Sequence, residues 1–331
     1  MRIATWNIEW FDALFDDSGH LLRHDGGRSG RYGITRAMQA EALGTVFAAM
    51  DADAIMVVEA PDTGSRRSTA RALSQFAAAF GLRTTGVLTG FVNDTQQEIA
   101  LMYDPAVIHA RHAPMGSDAA PRFDGTFDID LDVDATMDRV SFSKPPLEVS
   151  LSVHGKVLHL IGAHLKSKAP HGARTRDEVM RLSIANRRKQ LAQAIWLRRR
   201  VDALLDDGHS VIVLGDLNDG PGLDEYENLF GRSSVEIIAG EGDRALFDPH
   251  AQDAEGAGGP SSARFVHEDG GVLEAMLDYI MVSPDLAALG PHWLIWHPLR
   301  DPDIKEAPRL RDALLTASDH FPVTLDLAIT P

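Results

Sequence analysis

The chain has no cysteine among its 331 residues. That excludes disulfides, thiolate zinc sites and cysteine nucleophiles together, and leaves the compartment open. Long apolar runs are also missing. The longest lies inside "DAIMVVEA", much shorter than a bilayer crossing requires. The opening "MRIATWNIEWF" moves straight into a strand-like segment without the basic-then-apolar build of a signal peptide, so a cytoplasmic location is expected. Basic residues are few: 32 Lys and Arg stand against 48 Asp and Glu, a formal net charge of -16. So acidic a surface repels a polyanion at long range, and tight non-specific duplex binding would require a local basic patch. No Walker loop, H-E-x-x-H zinc helix or G-x-S-x-G elbow occurs.

What is present is ordinary soluble globular composition, 44% hydrophobic and 24% charged, in a chain long enough for a substantial core. Strand and helix patterns alternate. "RIATWNI" reads as a strand, and Leu43, Val46, Phe47 and Met50 then share one helical face. "AIMVVEA" reads as a buried strand; Leu73, Phe76, Ala77 and Phe80 repeat the helical spacing, with Gly81 as a stop; "QEIALMY" is a further strand. Leu147, Val149, Leu151 and Val153 alternate into a turn at His154-Gly155-Lys156, and "VLHLIGAHL" returns. A long helix is predicted over 174–206, followed by the strands "SVIVLGD", "LDYIMVS", "HWLIW" and "PVTLDLAI". Hairpins mixed with crossover helices predict two packed sheet layers with helices outside. No linker or short-period repeat divides the chain, so residues 1–331 are expected to form one domain.

Two segments, near 112–139 and 239–271, read as insertions, either solvated loops or edge hairpins. The first carries Asp128, Asp130, Asp132 and Asp134, but lacks the glycine turn and final glutamate of a calcium loop. The second contains Gly240 to Ala245, a G-x-G-x-x-A match after the strand-like "VEIIA". No convincing helix follows it, so the phosphate-cradling helix end of a dinucleotide site is missing.

Several polar residues share one placement at the margin of an apolar strand. Asn7 and Glu9 follow "RIATW", Glu59 follows "AIMVV", His164 follows "LHLIGA", and Asp216 and Asn218 follow "VIVLG". Asp278 opens "DYIMV", and Asp319 and His320 precede "FPVTLDLAI". Each alone reads first as a turn, cap or core residue. Together they place carboxylates where burial is costly unless a hard cation compensates. Oxygen and imidazole donors without thiolate suit Mg²⁺ or Mn²⁺ better than structural zinc.

"TWNIEWF", "VVEAPD", "GAHLKSK", "GDLND", "LDYIMVS" and "SDHFPV" occur in the order found in the endonuclease/exonuclease/phosphatase superfamily, which the chain resembles from Thr5 to Val323. Within it, "HLKSK" is most similar to bacterial nuclease-like members. The resemblance implies an α+β fold of the deoxyribonuclease I type: a four-layered sandwich of two mixed sheets flanked by helices. It implies metal ligation by Asn7, Glu9, Glu59 and Asp319. Asp216 would activate water, Asn218 would hold a phosphate oxygen, and His164 and an Asp278-polarised His320 would serve the phosphoryl group. Whether Asp216 or His320 takes the proton stays open. Lys144, where many relatives carry arginine, and Lys166 would contact phosphate; Lys168 could equally be a solvated turn residue. Arg174, Arg176, Arg187, Arg188 and Arg198 to Arg200 read mostly as a solvated helix face. The implied activity is phosphodiester hydrolysis on DNA or RNA. The acidic surface keeps small phosphate esters and lipid headgroups as alternatives, and a silent binding module of the same fold is the alternative from another class. No protein partner is inferable.

Overall fold

Period-two alternation decides how the layers stack. The computed structural model describes residues 1–93, 95, 97–131, 137–170, 172–221, 231–251, 259–266 and 270–329. Its strands are β1 (Arg2–Asn7), β2 (Ala54–Pro61), β3 (Gly86–Thr89), β4 (Gln97–Tyr103), β5 (Ile108–His112), β6 (Phe127–Ile129), β7 (Asp138–Val140) and β8 (Leu147–Val153). They continue with β9 (Lys156–His164), β10 (Ser210–Asp216), β11 (Ala263–Val266), β12 (Val272–Ala275), β13 (Asp278–Val282), β14 (His292–Ile295) and β15 (Val323–Asp326). One mixed sheet runs β14-β15-β1-β2-β4-β3 and a second runs β13-β10-β9-β8-β5, while β6 pairs with β7 and β11 with β12. The helices are α1 (Arg36–Met50), α2 (Thr69–Phe80), α3 (Arg176–Asp206), α4 (Ser234–Ala239), α5 (Pro284–Ala287), α6 (Pro302–Lys305) and α7 (Pro308–Ala317).

Each sheet is apolar on both faces. Along β1, Ala4 and Trp6 pack with Leu43, Phe47, Phe76 and Leu314 of the outer helices, while Ile3 turns to the other sheet. Along β10, Ile212 and Leu214 join Met56, Leu160 and Leu325 between the sheets; Val211 and Val213 face Trp196 and Leu197 of α3. The result is four layers, helix, sheet, sheet and helix, with three apolar seams. Each fully buried aliphatic or aromatic side chain adds about 1.5–3 kcal/mol to holding them together. The sheets approach closely at Gly162, where a Cβ would lie 2.5 Å from the Met56 sulfur. Among the described residues no helix is long and apolar enough to cross a membrane.

Several sequence expectations are corrected or extended. "VEIIA" is not a strand: it lies in α4, started by a capping box in which Ser233 and Glu236 satisfy each other's backbone N–H. Strands β3 and β5 were not anticipated, because neither is continuously apolar. The arginines of α3 are not uniformly solvated. Arg187 and Arg200 are buried, and Arg200 pairs with buried Glu148 while donating to the Ala120 and Pro121 carbonyls. The segment near 239–271, read as a solvated loop or an edge hairpin, contributes β11 to the β11–β12 hairpin, and Ala263 of β11 bridges His320. The segment near 112–139 contains the β6–β7 hairpin, anchored by Phe123 and Phe127 against Trp196. Asp128 there pairs with Arg139, whereas Asp132 and Asp134 lie outside the described residues.

Candidate active site

Strand direction brings the polar margins to one edge. β1 runs parallel to β2, and β9 parallel to β10, so Asn7, Glu59, His164 and Asp216 all stand at carboxyl ends. β13 and β15 are antiparallel to those neighbours, so Asp278 and Asp319-His320 stand at amino ends of the same edge. Register then sets neighbours. Asp216 is paired with Asp278 on one side and with His164 on the other, and directly opposite residues project to the same face. The rung needs Gly215, whose φ is +135° and where a Cβ would meet the Ala163 carbonyl oxygen at 2.0 Å.

Asp216 is the buried centre of this edge. Its Oδ2 accepts from Asn7 Nδ2 at 2.9 Å and Asn218 Nδ2 at 3.2 Å, and its Oδ1 accepts from the Asn218 backbone N–H at 2.8 Å. Asn218 reaches these partners from a left-handed backbone, φ 52°, and also donates to the Leu165 carbonyl. Burial pushes the Asp216 carboxyl up to about 7, with His320 opposing and Asp278 adding to the rise.

His320 is buried beside it, with Nδ1 2.7 Å from Asp278 Oδ2. That oxygen also accepts from Ser262 Oγ at 2.7 Å, and the Ser262 oxygen in turn accepts the Leu277 and Asp278 backbone N–H groups. Burial opposes an imidazolium here, but Asp278, Asp216 and Asp319 outweigh it and hold His320 well above the ordinary histidine value. Asp216, Asp278 and His320 offer donor atoms all within 4.8 Å of one another, so they could hold a cation. Asp278 Oδ2 is already engaged by His320 and Ser262.

Glu59 approaches from the other sheet. It is the extra residue of a β-bulge between Val58 and Ala60, at φ 61°, a strained conformation that costs about 1–3 kcal/mol and re-aims the side chain. Gln97 donates to Glu59 Oε2 at 2.5 Å and accepts from Lys144 Nζ at 2.6 Å. Lys144 Nζ also lies 3.2 Å from His164 Nδ1 and 4.0 Å from Glu59 Oε1. Burial, then the charges of Lys144, His320 and Lys166, hold His164 well below its ordinary value, so its ring is neutral. An ammonium donor at Nδ1 leaves the ring proton on Nε2, which faces Asp216 Oδ2 at 3.6 Å.

The remaining expected residues are less centrally engaged. Glu9 pairs with Arg31 and accepts from Trp10 Nε1 at 3.0 Å; burial and the neighbouring Asp319 charge raise its carboxyl. Burial likewise raises Glu59, with Lys144 opposing. Asp319 adjoins Ser318, whose hydroxyl donates to the Asn7 carbonyl and accepts from the His320 and Glu9 N–H groups. The Lys166 backbone N–H is held by Gln193 Oε1 at 2.9 Å. Lys168 pairs with buried Asp219. Arg31, Gln97, Gln193 and Ser262 were missed in the sequence. Gln97 alone carried a usable signal: it opens an antiparallel strand at the same edge, just as Asp278 does.

Residues 4–320 match the profile of the Endonuclease/Exonuclease/phosphatase family. The chain belongs to this family. It is a hydrolase acting on phosphate esters, and the family's enzymes depend on divalent metal. Similar solved structures include TDP2 from Caenorhabditis elegans, 14% identical with a TM-score of 0.54 over 99% of this chain and 74% of that one. A mannosyl-6-phosphatase from Bacteroides thetaiotaomicron is also 14% identical, with a TM-score of 0.51 over 99% and 100%. D. rerio TDP2 complexed with a single-strand DNA product matches at 14% and 0.51, over 99% of both chains. At such identities the likeness is one of fold. No curated protein matches the chain.

Proposed function

We propose that this family member hydrolyses phosphodiester bonds of nucleic acid by in-line attack of water, with Mg²⁺ or Mn²⁺ as cofactor. The observation that carries the reading is the convergence of Asp216 and the Asp278–His320 pair on one edge, facing Glu59. The donor set fits a hard cation. Asn7 Oδ1 is a buried acceptor without a hydrogen-bond partner, and Glu9 and Glu59 are raised partly by the charge of Asp319. Asn7, Glu9, Glu59 and Asp319 would hold the ion, which when bound supplies Lewis acidity and neutralises charge on a phosphoryl oxygen.

The protein's own groups divide the proton work. Asp216 sits near neutrality and is oriented by three hydrogen bonds, so it takes the proton from the attacking water. Asp278, Asp216 and Asp319 hold His320 well above its ordinary value, which favours the imidazolium, so in this reading it donates to phosphoryl oxygen as charge develops and leaves the base role to Asp216. Neutral His164, its Nε2–H directed by Lys144, is a second donor. Asn218 Nδ2 already serves Leu165 and Asp216, so in this reading it braces the base and does not grip phosphate.

The test is hydrolysis of bis(p-nitrophenyl) phosphate and single-stranded DNA with Mn²⁺ or Mg²⁺. Activity should vanish in EDTA and fall by roughly 10²-fold or more in His320→Ala. Activity on phosphomonoesters alone, with no diester cleaved, would overturn the phosphodiesterase assignment.

A further inference from the structure

Next to the edge lies a cavity of about 270 Å³ lined by Glu59, His164, Lys144, Lys166, Ser167 and Gln193. A second, about 240 Å³, is lined by Asp138, Arg139, Ser141, Arg188 and Lys189. Gln193 joins them: its Oε1 takes the Lys166 N–H, and its Nε2 donates to the Ser141 carbonyl at 3.1 Å. Lys189 stands one helical turn before Gln193 and therefore on the same face of α3.

The charges along this path are unusual for so acidic a protein. Arg188 pairs with Asp138 at 2.8 Å and Arg139 with Asp128 at 2.8 Å, while Lys144 lies near Glu59. Lys166 and Lys189 have no carboxylate partner among the described residues, although 48 acidic side chains outnumber 32 basic ones. The Lys189 ammonium is half-buried and is disfavoured first by that burial and then by repulsion from Lys166. Two ammonium groups that repel each other, with no carboxylate partner among the described residues and each lining a cavity, form a favourable setting for an anion. Ser141, Ser167 and Gln193 add hydroxyls and an amide along the path, and the two carboxylates that also line it, Glu59 and Asp138, already lie beside Lys144 and Arg188.

We propose that the groove from Lys166 to Lys189 binds a second phosphate of the substrate strand, adjacent to the phosphate being hydrolysed. This inference rests on the phosphodiesterase reading above. It makes the preferred substrate a short or single strand carrying at least one phosphate beyond the scissile one. It also supplies the local basic patch without which the net charge of -16 opposes nucleic acid.

The experiment compares kcat/KM for the dinucleotide TpT, for pTpT and for TpTpT with the Mn²⁺-loaded enzyme. At low salt a second phosphate should raise kcat/KM by about tenfold. The substrate that gains more tells whether a terminal or an internal phosphate occupies the groove. Lys189→Gln should erase most of the gain while leaving TpT within about twofold. In parallel, fluorescence anisotropy of a labelled single-stranded dT octamer in EDTA should show weaker binding by Lys189→Gln and a shallower salt dependence, by about one unit of slope. Equal rates on TpT and TpTpT, or a gain that survives Lys189→Gln with unchanged anisotropy, would overturn the groove. Failure of the wild type to cleave any diester would instead count against the phosphodiesterase reading, and the anisotropy arm would still decide the groove.

Discussion

Replacing Asp278 by Asn removes one charge from the buried rung while keeping its shape. Asp278 Oδ2 accepts from both Ser262 and His320, at 2.7 Å each, and Oδ1 has no partner. An Asn oxygen in the Oδ2 position preserves both bonds, while its NH₂ is buried at the Oδ1 position without a known acceptor, at a cost of about 1–3 kcal/mol. The fold should survive that loss. What is lost is the charge-assisted part of the His320 bond, in a position where burial otherwise disfavours the imidazolium. A hydrogen bond to a charged group is worth about 1.5–3 kcal/mol against 0.5–1.5 for a neutral one, and the difference grows in a water-poor site. With the loss of a pre-formed donor, kcat on bis(p-nitrophenyl) phosphate should fall roughly 10²–10⁴-fold, with the melting temperature lower by only about a few degrees. The double variant Asp278→Asn/His320→Ala should be no slower than His320→Ala alone, because the carboxylate acts only through the ring. Turnover within about threefold of wild type would refute the coupling, as would full additivity in the double variant.

Two further outcomes test the scaffold. Gly215→Ala forces a Cβ to within 2.0 Å of the Ala163 oxygen at a φ of +135°, so β9 and β10 must separate at the rung that carries His164 and Asp216. Urea unfolding should show a loss of about 3 kcal/mol or more, and a loss below about 1 kcal/mol would contradict the close approach. Burial chiefly holds His297 down to about 4, with Glu274 pulling the other way. The unfolded chain therefore binds this proton near pH 6.5 while the folded one resists until about 4. Stability attributable to His297 is complete above pH 6.5 and is lost as the pH falls towards 4, by about 2 kcal/mol once solvent screening of the half-buried ring is allowed for. His297→Gln should flatten that part of the unfolding-energy curve, and an unchanged slope would count against it.

The four layers were legible because each element has a clear period. β10 alternates between α3 and the other sheet residue by residue, and α1 keeps Leu43, Val46, Phe47 and Met50 on the buried face. The margin residues were legible for a different reason, since carboxylates abut strands that are otherwise wholly apolar. What escaped was whatever depends on an unseen neighbour. Ser262 has no pattern of its own; its importance comes from β11 folding back beside His320, which brings it to Asp278. The bulge at Glu59 is a mismatch between β2 and β4, invisible in either strand alone. Arg200 resembles a surface arginine until Glu148 is placed opposite it. In α4, the apolar "VEIIA" has β-branched residues that favour a strand, but the cap formed by Ser233 and Glu236 outweighs them.

These features share one energetic logic. Asp216 has a folded pKa of about 7, above the unfolded carboxyl value, so the folded state loses stability progressively as the pH rises from about 3.8 towards 7 and the group ionises. At neutral pH the edge therefore works against the fold, and the strained backbone at Glu59 adds to the load. Such a cluster would relax if its strands could shift. They cannot shift readily, because Gly215 lets the β10 backbone lie against β9 and Gly162 lets the two sheets close at Met56, while three apolar seams resist separation. The seams hold these groups in place, and Arg31, Lys144 and His320 offset only part of the acidic charge of Glu9, Glu59, Asp216, Asp278 and Asp319. Under the proposed function a hard cation entering the cleft would neutralise the remainder, and its affinity would come from charge repulsion that the core prevents from relaxing.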